Sequence, residues 1–189
     1  MGLLEEFPGM KHRITAEDYH RMGEAGVLAA DARTELIEGE ILDMAPIGSR
    51  HASVVNRLNR LFVSVVGERA IVQIQGPVRL GDLSEPEPDL ALLKPRADYY
   101  RDALPGAADV LLLVEVADTT QRLDRRVKVP LYARHGIPEV LVIDLENALV
   151  HFHRGPGGGA YADISATERP GVTPIAALPG LAIDLSGTL

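Results

Sequence analysis

Cysteine and tryptophan are absent from this 189-residue chain, and its only lysines are Lys11, Lys94 and Lys128. Without cysteine there is no disulfide, zinc ribbon, cysteine nucleophile or iron–sulfur cluster. No stretch free of polar residues, glycine and proline exceeds the five residues Val110–Val114, whereas a membrane-spanning helix needs about 20 apolar residues. The chain opens with Glu5 and Glu6 and no apolar segment of signal-peptide length, which argues for a cytoplasmic protein. A net charge of −8 excludes a strongly basic nucleic-acid coat, because non-specific DNA affinity comes mainly from Lys and Arg on phosphates. A local basic patch working with a metal remains compatible with that charge. The scarcity of lysine is useful, since any chemistry needing an amine has three candidates.

Hydrophobic residues make up 46% and charged residues 24%, which suffices for a buried core and argues against disorder. The length fits one domain over residues 1–189, with 1–12 reading as a leader. Residues 165–189 form a Pro- and Gly-rich tail with no readable period. Thr15 reads as the N-cap of a helix running to about Glu24. Thr34–Met44 reads as two short strands joined at Glu38-Gly39. Ser49 caps a second helix, whose Val54, Val55, Leu58, Leu61, Phe62, Val65 and Val66 recur at helical spacing up to Gly67. Ala70–Gln75, Pro77–Leu80 and Asp89–Leu93 read as strands. Val110–Ala117 is continuous rather than alternating, as in a central strand covered on both faces. A helix from Thr120 to Arg134 and a buried strand Val140–Asp144 follow, so the crossover implies a parallel pair. Leu149–Arg154 and Ala160–Ile164 make a hairpin. The reading is a mixed α/β fold.

Glu115 interrupts the strand that should be driest, and an isolated carboxylate there is costly. It either sits at a strand end reaching water, forms a structural ion pair, or binds a cation that offsets the desolvation. Asp89 opens a neighbouring short strand after Pro88. Two carboxylates entering adjacent strands at about 4.8 Å spacing can share one divalent ion. Lys94 lies five residues from Asp89, an odd separation that puts it on the opposite strand face, and Lys11 lies in the leader. Lys128, on the crossover helix, is the best-placed amine, and Pro130 would bend that helix just beyond it. Tyr132 shares its face one turn on. Glu35 is either a further acid near the ion or an exposed strand residue, and Gln75 ends a strand that could line the site.

Other groups carry weaker signals. Arg50, Arg57 and Arg60, or Arg122, Arg125 and Arg126, would form a phosphate track or simply a solvated helix face. Asp118 and Asp124 suit a helix start. His151 and His153 share a strand face but lack a third ligand, and read as a surface strand. His51 reads as a helix-surface residue.

Pro88-Asp89, Glu115-Val-Ala-Asp118, Lys128-Val-Pro-Leu-Tyr132-Ala, Gly136-Ile-Pro-Glu139 and Val142-Ile-Asp144 together resemble the Uma-two family of restriction-endonuclease-like proteins, within the PD-(D/E)xK nuclease superfamily. Glu35-Leu-Ile-Glu-Gly39-Glu resembles that family's early strand, and the similarity runs from about Thr15 to Arg154. The resemblance implies a restriction-endonuclease-like mixed central sheet flanked by helices. It implies a divalent ion, Mg²⁺ or Mn²⁺, held by Asp89, Glu115 and the Val116 carbonyl, with Lys128 assisting the attacking water, to which Glu35, if it lies near the ion, would contribute. The superfamily lysine two residues after the second acid is replaced here by Ala117, so its role falls to Lys128 on the following helix. The implied activity is phosphodiester hydrolysis in DNA; cutting both strands in one encounter needs two sites, which a homodimer would supply. A catalytically inactive nuclease-fold binding or assembly module is the alternative that Ala117 motivates, and a metal-free carboxylate-pair glycosidase is a third. The aromatic content of 4% leaves little for a sugar platform.

Overall fold

Val110–Ala117, the most apolar segment, is buried along its whole length and forms the strand about which the molecule is organised. A computed structural model of the chain describes residues 11–29, 31–118 and 124–189, the side chains of residues 124 and 125 excepted. In chain order the elements are α1 (Ala16–Glu24), β1 (Thr34–Ile37), β2 (Glu40–Asp43), α2 (Ser49–Val66), β3 (Ile71–Ile74), β4 (Leu90–Leu93) and β5 (Val110–Ala117). A π-helical turn (Asp124–Lys128), α3 (Val129–Arg134), β6 (Glu139–Asp144), β7 (Leu149–Gly157), β8 (Ala160–Thr167), β9 (Val172–Pro174) and β10 (Ala182–Asp184) follow.

Six strands form the central sheet in the order β3-β4-β5-β6-β7-β8. Only β5 and β6 run parallel, as a crossover connection requires, and the other neighbours are antiparallel. The two faces are covered differently because side chains alternate along each strand. Leu112, Val114 and Val116 of β5 face α2, whose Val55, Leu58, Phe62 and Val66 fill that layer. Leu113 and Ala117 face Leu131, Tyr132 and Ala133 of α3, with Ile37 of β1 in the same layer. Glu115 therefore belongs to the second layer, the one with a lysine in it.

Several expected elements appear as read. Thr15 caps α1, its hydroxyl accepting from the Asp18 N–H at 3.1 Å. The β1–β2 hairpin turns at Glu38 and Gly39, both with positive φ (50° and 81°), the geometry of the tight turn whose twist suits a hairpin. A Cβ on Gly39 would also lie 2.6 Å from the Arg13 Cβ, so the position needs glycine on both counts.

Others differ. Gly48, not Ser49, is the N-cap of α2, and no side chain caps it. Pro77–Leu80 is not a strand: its N–H groups bond to loop carbonyls, Val78 to Pro86, Arg79 to Pro105 and Leu80 to Ser84. The expected helix from Thr120 to Arg134 begins outside the described residues and, where described, is a π turn followed by α3. Pro130 sits in the first turn of α3, where a missing N–H costs little, so the helix changes type there instead of bending around a mid-helix proline. The tail is ordered into the β9–β10 pair, and Ile175, Leu178, Ile183 and Leu185 complete the layer on α2.

One buried carboxylate fastens that tail. Glu139 is fully buried and accepts from Arg154 Nε at 2.5 Å and from the Ala176 N–H at 2.9 Å. Glu139→Ala strands both donors and should cost about 3 kcal/mol, or roughly 6–12 °C in melting temperature for a chain of this size. Thermal unfolding followed by circular dichroism checks this, and an unchanged transition would show that Glu139 does not hold the tail.

Candidate active site

Register brings the two acids together. Ile74 pairs with Leu90 and Leu90 with Val114, so one step further Gln75, Asp89 and Glu115 form a row across β3, β4 and β5. The Gln75 N–H bonds to the Asp89 carbonyl at 3.1 Å, which continues the ladder to that point. Residues opposite one another are neighbours, so the two carboxylates lie side by side at this end of the sheet. With Glu35, Val116 and Lys128 they line one cleft of about 210 Å³.

The Asp89 carboxylate is gripped from several sides. Oδ2 accepts from the Val116 N–H at 2.8 Å, and Oδ1 lies 2.9 Å from His51 Nε2 and 3.4 Å from Gln75 Nε2. The hydrogen bond to Asp89 raises the His51 pKa, against the opposing effect of burial. On the other strand, the Tyr132 hydroxyl donates to Glu115 Oε1 at 2.5 Å. Lys128 Nζ lies 3.0 Å from Glu35 Oε2 and 3.5 Å from Glu115 Oε1, and all three side chains are almost wholly buried. Glu35 Oε2 also accepts from the Glu87 N–H at 3.2 Å.

The π turn explains how Lys128 arrives there. A π turn takes in one residue more than an α turn, and so re-aims the side chain at its end. Lys128 is the last residue of the turn and Tyr132 lies one helical turn later, so both reach Glu115 from one face.

A family model, Uma2, described as "Putative restriction endonuclease", matches residues 16–186. The chain belongs to the Uma2 family. It is also similar in structure to the crystal structure of "a putative nuclease belonging to DUF820" from Anabaena variabilis. The two share 17% identity over 86% of this chain and 89% of the other, with a TM-score of 0.67. At that identity the likeness shows the fold, which is the restriction-endonuclease-like mixed sheet flanked by helices. No curated protein matches the chain. The Uma2 match extends past Arg154 and takes in both tail strands.

The cleft contains groups that the sequence does not announce. His51 is not a helix-surface residue: it is largely buried and bonded to Asp89. A signal was there, because His51 falls i, i+4, i+7 and i+11 with Val55, Leu58 and Phe62, the buried stripe of α2. Glu87 lines the cleft, and burial raises its pKa, with Glu35 and Glu85 adding to the effect and Arg33 and Lys128 opposing it. Arg33, Asp43 and Asp118 complete the polar lining.

Other expected groups lie elsewhere. Arg50 donates to the Leu145 carbonyl at 2.5 Å and Arg57 to that of Ser186 at 2.8 Å, so they tack loops onto α2 and form no track into the cleft. Arg60 and Arg126 are exposed, while Arg122 and the side chains of Asp124 and Arg125 lie outside the described residues. Lys94 is exposed beyond β4. His151 and His153 do not form a surface strand: both are buried, with rings 6.5 Å apart and His153 against Tyr161 at 5.7 Å.

The donors suit a hard cation. Glu35, Asp43, Glu87, Asp89, Glu115 and Asp118 line the cleft against Arg33, Lys128 and His51. Among the described residues no three carboxylate or imidazole groups close into a cage. An open site of two carboxylates fits Mg²⁺ or Mn²⁺, which keeps several waters and fills its shell from substrate. Among the described residues no helix is long and apolar enough to cross a membrane.

Proposed function

We propose that this Uma2 chain is a divalent-metal-dependent endonuclease that hydrolyses phosphodiester bonds in DNA. The observation that carries the reading is the pairing of Asp89 and Glu115 side by side at one end of the sheet, with a buried lysine against the second of them. Asp89, Glu115 and the Val116 carbonyl would hold the ion. Bound there, Mg²⁺ or Mn²⁺ would stabilise charge on the phosphoryl oxygens and lower the pKa of water.

The chain's own groups have separable tasks. Val116 N–H and His51 fix the Asp89 rotamer, and the Tyr132 hydroxyl fixes that of Glu115. The charge on Lys128 Nζ lets Glu35 and Glu115 lie close together, and the amine would orient the attacking water or meet charge on the transition state. Glu35 Oε2, 3.0 Å from that amine, would accept a proton leaving the water. The fully buried Ala117, standing where the superfamily carries its lysine, favours a second reading, a nuclease-fold binding module without turnover.

Supercoiled plasmid incubated with the chain and Mn²⁺ should give nicked and linear products, and EDTA should abolish them. Full cleavage in EDTA would overturn the metal role and favour a metal-free carboxylate pair. Plasmid binding without cleavage, under all divalent ions tried, would favour the binding module.

A further inference from the structure

The cleft is acidic, yet the proposed substrate is a polyanion, and most of its cations are engaged. Lys128 is held between Glu35 and Glu115, and His51 is bonded to Asp89. Among the described residues Arg33 is the one arginine in the lining. Among the described residues no carboxylate lies within ion-pair distance of its guanidinium, and the residue is half-buried.

Its placement is set by the hairpin. The Met44 N–H bonds to the Arg33 carbonyl at 2.9 Å, extending by one step the ladder in which Thr34 faces Asp43. The Arg33 backbone is thereby fixed. Two residues before Glu35, it shares that residue's strand face, about 7 Å further along. Glu35 lies beside Lys128. The Arg33 charge reaches the cleft, where it opposes the upward shifts at Glu87 and His51.

We propose that Arg33 anchors a phosphate of the bound nucleic-acid strand next to the one being hydrolysed. A guanidinium presents a planar fork to two phosphate oxygens at once, which a lysine cannot. In an otherwise acidic cleft, that anchor sets which stretch of backbone lies over the acids. The proposal rests on the nuclease reading and adds to it a residue that selects the position of the strand.

The test uses single-stranded and duplex oligodeoxynucleotides of about 20 nucleotides, binding measured by fluorescence anisotropy in Ca²⁺ across a salt series. Arg33→Ala should bind about 10-fold more weakly. Its log affinity should fall less steeply with log salt, the slope shrinking by about 0.7–0.9 for one lost phosphate contact. In cleavage assays KM should rise more than kcat falls, and Mn²⁺ affinity by calorimetry should not change. Arg33→Lys should keep the salt slope while recovering only part of the affinity. Arg101→Ala, which removes an equal charge from an exposed site outside the cleft, should alter neither quantity. Wild-type affinity and slope in Arg33→Ala would overturn the assignment and leave the nuclease reading standing. Failure of the wild type to bind either oligonucleotide would remove the nuclease reading first and this inference with it.

Discussion

Lys128→Ala should leave Glu35 and Glu115 facing one another in a buried site without the cation that both approach. Each carboxylate is 3% exposed, so water cannot take over the role of the amine. Removing one partner of a buried ion pair costs about 3–5 kcal/mol, which is roughly 6–20 °C of melting temperature at this chain length. The loss is bounded because one carboxylate can take a proton and become neutral. Cleavage should fall by about 10²–10⁴, the usual contribution of a positioned proton-transfer or charge-stabilising group. Mn²⁺ should restore more stability to the variant than to the wild type, because a cation bound only by the folded state offsets the uncompensated charge. The Glu35→Gln/Lys128→Met pair, which removes one charge of each sign, should recover stability without recovering cleavage. Unaltered cleavage by Lys128→Ala would mean that the amine has no part in the reaction.

The fold was legible where one local signal sufficed. The unbroken run at Val110–Val114 marked the central strand, and the strand–helix–strand order around it implied the single parallel pair. The two acids were legible for a related reason. Side-chain alternation and strand spacing require little more than adjacency of β4 and β5 to bring Asp89 opposite Glu115. What escaped depends on contacts remote in sequence. Arg50 and Arg57 read as charges on a helix, but their acceptors lie 95 and 129 residues away. The tail's strands have three residues each, and the tail is held by Glu139 and Arg154 from other strands, so nothing local reveals it. Pro77–Leu80 has strand-like residues, but its backbone partners are loops. His51 is polar at a position on the apolar stripe of α2, so its residue type points to solvent while its spacing points inward. The same stripe that buries Phe62 delivers the imidazole to Asp89.

Glu115→Gln and Asp89→Ala should each abolish Mn²⁺ binding measured by calorimetry, with affinity falling by at least about 100-fold. That figure is the upper range for loss of a group that only supports a metal ligand, and a ligand itself should cost more. Cleavage should fall to the limit of detection in both. The stabilities should part company. Asp89→Ala strands the Val116 N–H and the His51 ring and should lower the melting temperature. Glu115→Gln keeps the side-chain volume and an acceptor for the Tyr132 hydroxyl, while Lys128 retains Glu35 at 3.0 Å. Among the described residues the wild type without the ion sets two buried carboxylates, Glu35 and Glu115, around the Lys128 ammonium, so removing one negative charge should leave the melting temperature unchanged or raise it. That sign is opposite to the one expected for Lys128→Ala, although both substitutions alter the same ion cluster. A chain that unfolds earlier with Glu115→Gln would show that Lys128 depends on Glu115 more than on the nearer Glu35. Mn²⁺ affinity that survives in both variants would show that the ion is held elsewhere, and the metal-dependent reading would fall with it.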